Sequence, residues 1–370
     1  KGFSMLRQYR LRDYRFSLIL WVAAISTLGI LLIGSAQQST QQRQIWGLAL
    51  GLTLMIILSF VDYTWLLNFY WFFYLAGNAL LVAVLLVGEN INGATRWIRI
   101  GIQFQPSDVM KIILILFFAK FFSKHEDKLN TLKIVLLSLF LAAIPLALIE
   151  AEPDLSTTIV TALTFCAIIF VAGLSYKIIG GIFLAAVPIG VVLFSIIMQP
   201  GQTLIENYQL RRILAWLRPS DYSSEAYQQT NSIIAIGSGQ LYGKGLDNNM
   251  VSSVKNGNFI AEPQTDFIFA VAGEELGFLG CCLIVILELL IALECIRIGR
   301  RARDLSGTLI CCGIASLIVF QSSLNICVAT GLMPNTGIPL PFVSYGVTSL
   351  VSLCMGLGIV LNVGLQARKY

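Results

Sequence analysis

Apolar runs of about 20 residues follow one another along almost the whole chain, and a helix rising 1.5 Å per residue needs about that length to cross ~30 Å of hydrocarbon. Lipid offers no partner for backbone N–H and C=O groups, so each run that enters it must be helical. Hydrophobic residues make up 56% of the 370 residues and charged residues only 12%, whereas a soluble domain is about one quarter charged. A water-soluble fold is excluded. The expected fold is all-α and polytopic, with about ten transmembrane helices near residues 16–36, 45–61, 64–87, 107–122, 131–149, 155–173, 177–199, 266–296, 307–330 and 345–365.

Residues Lys1 to Ser4 precede Met5 and read as a cloning scar, leaving residues 5–370 as a single transmembrane domain. The stretch MLRQYRLRDYRF is a basic arm leading straight into the first span, without the short apolar core and small-residue cleavage site of a signal peptide. If that arm is cytoplasmic, most of the 25 lysines and arginines fall on the cytoplasmic side, including Lys120, Lys124, Lys128, Lys133, Lys177, Arg297, Arg300, Arg301 and Arg303. Both termini are then expected in the cytoplasm.

The eight cysteines lie in or beside apolar runs, with neither a disulfide framework nor a metal-ligand spacing. The only histidine, His125, sits in the charged stretch KHEDK, so histidine-based catalysis is not expected.

On this topology a long extracellular loop, residues 200–265, separates the seventh and eighth helices. Within it, Leu210, Ile213, Leu214 and Leu217 follow a helical apolar spacing beside Arg211, Arg212 and Arg218, the pattern of an amphipathic helix on a membrane surface. The glycine-rich run IAIGSGQLYGKG comes next and is too loose to span.

Chemistry-bearing residues gather on the same side. In AEPQTDFIFAVAGEELG, residues 261–277, Asp266 opens the eighth apolar helix and Glu274 lies eight residues on, nearly the same face two turns deeper. A carboxylate within a span costs about 2.5–3.5 kcal/mol on insertion scales, so a function is the default expectation. The plainer alternative is that Asp266 caps the helix and that Glu274 or Glu275 pairs with a cation. In NGATRWIRIGIQFQPSDVMK, Ser107 is a natural N-cap, and Asp108 and Lys111 can pair across one helical turn, functionally or structurally. EAEPDLSTT places Glu150, Glu152 and Asp154 together, with Asp154 starting the sixth span. The last loop, GLMPNTGIPLPFVSYG, holds three of the ten prolines and is expected to fold back into a pocket near Asp266.

The strings NGATRWIRIG, FQPSDVMK, AEPDLSTT, IAIGSGQLYGKG, PQTDFIFAVAGEELG and TGIPLPFVSYG, in this order, resemble the SEDS family (shape, elongation, division and sporulation) of RodA and FtsW, over nearly the whole chain. The resemblance implies a ten-helix glycosyltransferase of the bacterial cytoplasmic membrane that polymerises lipid II into glycan strands on the outer face. It also implies a class B penicillin-binding protein as partner. Position by position, the family's essential aspartate falls on Asp266, its later acidic position on Glu274 and its RW motif on Arg96 and Trp97. Its QPSE…K motif lands on Gln105, Pro106, Ser107, Asp108 and Lys111, with Asp in place of the usual Glu at 108. Its PDL motif gives Asp154, and its loop cations match Arg212 and Lys244. Gln264 stands where His is common, and Val347 where SYGG is usual. The short N-terminal arm and FQPS lean toward the RodA branch.

The expected catalytic residues are thus Asp266 and Glu274, with Arg212, Lys244, Arg96, Lys111, Trp97, Asp108 and Asp154 as substrate or diphosphate contacts. No local motif demands a metal, and a divalent cation, Mg2+ or Mn2+, bridging Asp266 and the diphosphate is left open. Membrane lipids are expected partners and nucleic acid is not. Two other classes stay in view. A lipid II flippase would carry charges at mid-membrane and open to both faces, and a non-catalytic scaffold would not need intact TDF and RW motifs.

Overall fold

The computed structural model describes residues 14–91, 94–100, 102–181, 184, 188, 195–196, 207–247, 253, 257 and 259–366. The apolar runs form helices α1 (Phe16–Ala36), α2 (Gln38–Ser59), the short α3 (Tyr63–Leu66), α4 (Tyr70–Val87), α5 (Pro106–Lys124), α6 (Leu132–Ala151) and α7 (Leu155–Val171). Beyond them come α8 (Asn207–Leu217), α9 (Ser223–Ser238), α10 (Ile268–Gly299), α11 (Leu305–Ala329) and α12 (Val347–Leu365). Asp62, Asp154 and Asp304 cap α3, α7 and α11 by accepting from the backbone N–H of Thr64, Thr157 and Gly307. Pro106 fills the first turn of α5, where a missing N–H costs nothing. The expected N-cap role of Ser107 is corrected: with Pro106 in the first turn, Gln105 is the N-cap residue of α5, without a side-chain cap bond, and Ser107 lies inside the helix.

Among the described residues six helical stretches are long and apolar enough to cross a membrane: Phe16–Ala36, Tyr63–Val87, Leu132–Ala151, Ile268–Gly299, Leu305–Ala329 and Val347–Leu365. Helices α2, α5 and α7 coincide with three more of the expected spans but are more polar or shorter. The expected span 177–199 lies largely outside the described residues. Helices α5, α11 and α12 sit inside the bundle, whereas α2, α4 and α6 turn residues such as Trp46, Phe72 and Phe140 outward, the face a lipid solvent would cover.

Two features depart from the sequence reading. The all-α expectation is corrected by a three-stranded antiparallel sheet, β1 (Glu89–Ile91), β2 (Ala94–Ile100) and β3 (Ile102–Phe104), in which Trp97 pairs with Glu89 and Ile98 with Phe104. The β-branched and aromatic residues of TRWIRI suit a strand, and the sheet carries the chain from α4 into α5. The polar segment after residue 200 also holds α9 besides the expected amphipathic α8. Buried Gln229 and Ser232 of α9 donate to the carbonyl oxygens of Val328 (2.8 Å), Met333 (2.6 Å) and Ala329 (2.7 Å), satisfying acceptors at and beyond the end of α11.

Helix α10 runs for 32 residues but breaks at Gly277, whose φ of 66° and ψ of −165° are non-helical. The glycine-rich run threads into the break. The N–H groups of Lys244 and Gly245 donate to Glu274 O (2.9 Å) and Glu275 O (3.0 Å), and those of Phe278 and Leu279 donate to Gln240 O (2.8 Å) and Leu241 O (3.2 Å). A Cβ on Gly277 would lie 2.3 Å from Gly243 N, so only glycine admits this approach.

Candidate active site

Asp266 lies in the turn immediately before α10, not on the helix. Phe267 occupies the N-cap position without a side-chain cap bond, so the expected common helical face with Glu274 and the capping role for Asp266 are both corrected.

The turn is held from below by polar groups inside the bundle. The buried Asn325 of α11 donates to both Asp266 O (2.9 Å) and Ile338 O (2.7 Å), tying the turn to the proline-rich loop with one amide. Ser344 donates to Thr265 O at 2.5 Å and the Tyr345 N–H to Gln264 O at 2.8 Å. Gln321 anchors the same loop through Pro339 O at 3.0 Å. The loop backbone passes so close that a Cβ on Gly337 would sit 3.2 Å from Asp266 Oδ2. Burial pushes the Asp266 carboxyl up to about 6; the Arg212 and Arg96 guanidinium groups pull it down, while Glu262 and Asp154 push it further up.

Beside this turn a cleft of about 350 Å3 opens between β2, the α6–α7 turn, α8 and the proline-rich loop. Arg96 and Arg212 line it with Gln209, Asn335 and Thr336. Arg96 donates from Nε to Glu152 O (3.1 Å) and from Nη2 to Pro153 O, and its Nη1 lies 3.9 Å from Asp154 Oδ1. Asp154 also accepts from Thr157 Oγ1 (2.9 Å) and Gln105 Nε2 (3.0 Å), so the β2 arginine, the α5 start and the α7 start converge on one carboxylate. Arg212 reaches the proline-rich loop through Asn335 O at 3.5 Å. Trp97 is partly buried in β2, next to Arg96.

The remaining expected residues form pairs of their own. Lys111 Nζ lies 2.8 Å from Asp108 Oδ1 and 3.2 Å from Gln321 Oε1, with both charged side chains buried within the bundle. Lys244 Nζ lies 2.8 Å from Glu274 Oε1, so the loop cation and the buried α10 acid satisfy one another. Of the expected cations, Arg96 and Arg212 are the two that line the cleft. No group of three or more His, Cys, Asp or Glu side chains arranged to hold a metal ion occurs among the described residues. Asn325, Gln321 and Glu152 carry weight that the motif reading did not assign. An amide within an apolar helix was the available signal for the first two.

The fold and the site define a polytopic helical membrane protein that gathers a partly buried carboxyl and two cleft-lining guanidinium groups in one place. More specifically, the chain belongs to the FtsW/RodA/SpoVE family of cell cycle proteins, whose model matches residues 11–369. It is 33% identical to the peptidoglycan glycosyltransferase MrdB of Escherichia coli, over 94% of this chain and 89% of the relative. It is 32% identical to the probable peptidoglycan glycosyltransferase FtsW of Coxiella burnetii, over 96% of this chain and 98% of the relative. A chain solved in a study of polymerization and crosslinking by a peptidoglycan synthase complex superposes with a TM-score of 0.78 at 30% identity, covering 95% of this chain and 97% of its own.

Proposed function

We infer that this chain is a peptidoglycan glycosyltransferase of bacterial cell-wall synthesis, and we propose that it polymerises lipid II on the outer face of the cytoplasmic membrane with Asp266 as general base. The observation that carries the proposal is the Asp266 carboxyl, raised to about 6 yet ionised at neutral pH, beside a cleft with two fixed cations. A sugar hydroxyl is a weak nucleophile, and a carboxylate that accepts its proton during attack typically contributes ~10²–10⁴-fold.

In the proposed step the 4-hydroxyl of the acceptor GlcNAc gives its proton to Asp266 while its oxygen attacks the anomeric carbon of the donor MurNAc. The bond from that carbon to the diphosphate oxygen breaks, and undecaprenyl diphosphate leaves with the electron pair. Arg96 and Arg212 stabilise the charge that develops on the leaving group. One displacement inverts the centre, giving a β-linkage from an α-linked donor. The pairing of Lys111 with Asp108 and of Lys244 with Glu274 supports roles in holding the bundle and the α10 break in register.

Both termini are proposed to be cytoplasmic, with the cleft outside and a class B penicillin-binding protein as partner; the membership of a similar chain in a synthase complex supports the last. Glu288, buried along α10, is the kind of intramembrane acid a transporter would use. Proteoliposomes containing lipid II therefore test the reading by measuring polymer and translocation together. Glycan strands without translocation are expected; translocation without strands would replace the enzyme by a flippase.

A further inference from the structure

The α6–α7 turn holds a carboxyl group that the proposed mechanism does not use. Glu152 is fully buried, and among the described residues neither of its carboxyl oxygens has a hydrogen-bond partner. It follows directly on α6 and precedes Pro153, which lines the cleft. Its own backbone oxygen accepts from Arg96 Nε at 3.1 Å. Other buried polar atoms without partners gather around the same cleft: Thr336 Oγ1, and Glu150 Oε2, whose companion Oε1 accepts from Gln209 of α8 at 3.2 Å. An ionised carboxylate left in this position would go without solvent or donors and would sit beside the negative Asp154, an arrangement burial strongly disfavours.

We propose that Glu152 works as a neutral carboxylic acid behind the cleft, a positioning residue that leaves the Arg96 guanidinium directed to the anionic leaving group, and that its ionisation weakens binding of that anion. This rests on the reading of Arg96 as a diphosphate contact. Ionised, Glu152 would compete for the same guanidinium and add a second negative charge beside the cleft. The charged groups around it are Asp154 at the start of α7, Arg96 on β2, Arg212 on α8 and Glu150 on α6. Burial first and Asp154 second raise its carboxyl to about 8, with Arg96 opposing. Two carboxyl groups next to the cleft, neither lining it, thus have separated titrations, Asp266 needed as the base and Glu152 needed as the acid form.

The test is the KM for lipid II from pH 7 to 9.5 in the intact protein with its partner, together with inhibition by inorganic pyrophosphate. In the wild type, KM and the inhibition constant are expected to rise above pH ~8 by up to about tenfold per pH unit, with little change in kcat. Glu152→Gln, isosteric and permanently neutral, should polymerise at neutral pH and lose that rise, so that the ionisation of pyrophosphate itself is controlled for. A flat wild-type profile overturns the proposal whatever the variant does. So does an unchanged rise in Glu152→Gln, or a variant that melts normally and is inactive at pH 7. If Arg96→Ala leaves the KM for lipid II and the inhibition by pyrophosphate unchanged, the underlying reading of Arg96 fails. If Arg96→Ala raises both constants while the alkaline rise survives in Glu152→Gln, only the assignment of Glu152 fails.

Discussion

Replacing Gly277 by alanine attacks the device that shapes the α10 start. The native φ of 66° with ψ of −165° is a region that L-residues avoid, and forcing a side chain there costs of order 1–3 kcal/mol. The new Cβ would also meet Gly243 N at 2.3 Å and the Leu241 carbonyl at 2.7 Å, all backbone atoms that cannot rotate away. Relief requires the 239–245 run to withdraw, which breaks the four backbone bonds it makes to α10. At about 0.5–1.5 kcal/mol each, these bring the total to at least ~3 kcal/mol. With about 2–4 °C lost per kcal/mol, the detergent-solubilised variant should melt roughly 10 °C below the wild type, and polymerisation should fall because Asp266 stands on the displaced side of the break. Gly237→Ala is the control: its Cβ would meet nothing within 4 Å, it lies in α9, and alanine should be neutral or stabilising by up to ~1 kcal/mol. If Gly277→Ala melts and polymerises as the wild type does, the threaded-break account is wrong.

The acid limb of kcat/KM should have its midpoint near pH 6, because Asp266 must lose its proton to act as base. Arg212→Ala should move that limb to higher pH, since the guanidinium favours the ionised form; a limb that stays in place would separate Arg212 from Asp266. Asn325→Leu should cost about 1–3 kcal/mol in thermal melting by leaving the carbonyls of Asp266 and Ile338 without their donor, and should lower activity as well. Glu274→Ala should impair polymerisation less completely than loss of Asp266, and an unaffected rate would assign Glu274 to structure alone. Glu152 bears on stability too. A glutamate ionises near 4.5 when unfolded but holds its proton to about 8 when folded, so the stability it contributes is full below 4.5 and is lost progressively as pH rises to about 8. Glu152→Gln should therefore flatten the decline of melting temperature between those values.

Helix positions were legible because span length and apolar pattern act locally, and α8 was legible because Leu210, Ile213, Leu214 and Leu217 repeat at helical spacing. The paired charges Asp108 and Lys111 were readable from their separation alone. What escaped depends on distant partners. Nothing near Gly277 announces that residues 239–245 will enter the helix at that point, and the pairing of Lys244 with Glu274 follows from that entry. Helix α9 is polar enough to pass for loop because its Gln229 and Ser232 are spent on the end of α11. Asp266 itself was found from its motif, but its place in a turn is held by Asn325, a distant partner that hydrophobic periodicity does not encode.

The central claim is that an ionised Asp266 removes a proton from a lipid-borne sugar. The most direct measurement is polymerisation of purified lipid II in detergent by the wild type and by Asp266→Ala, each with the partner bound and with thermal melting recorded alongside. The account predicts that the variant folds, binds its partner and makes no glycan strands. Strands formed at the wild-type rate by a normally folded Asp266→Ala would contradict it.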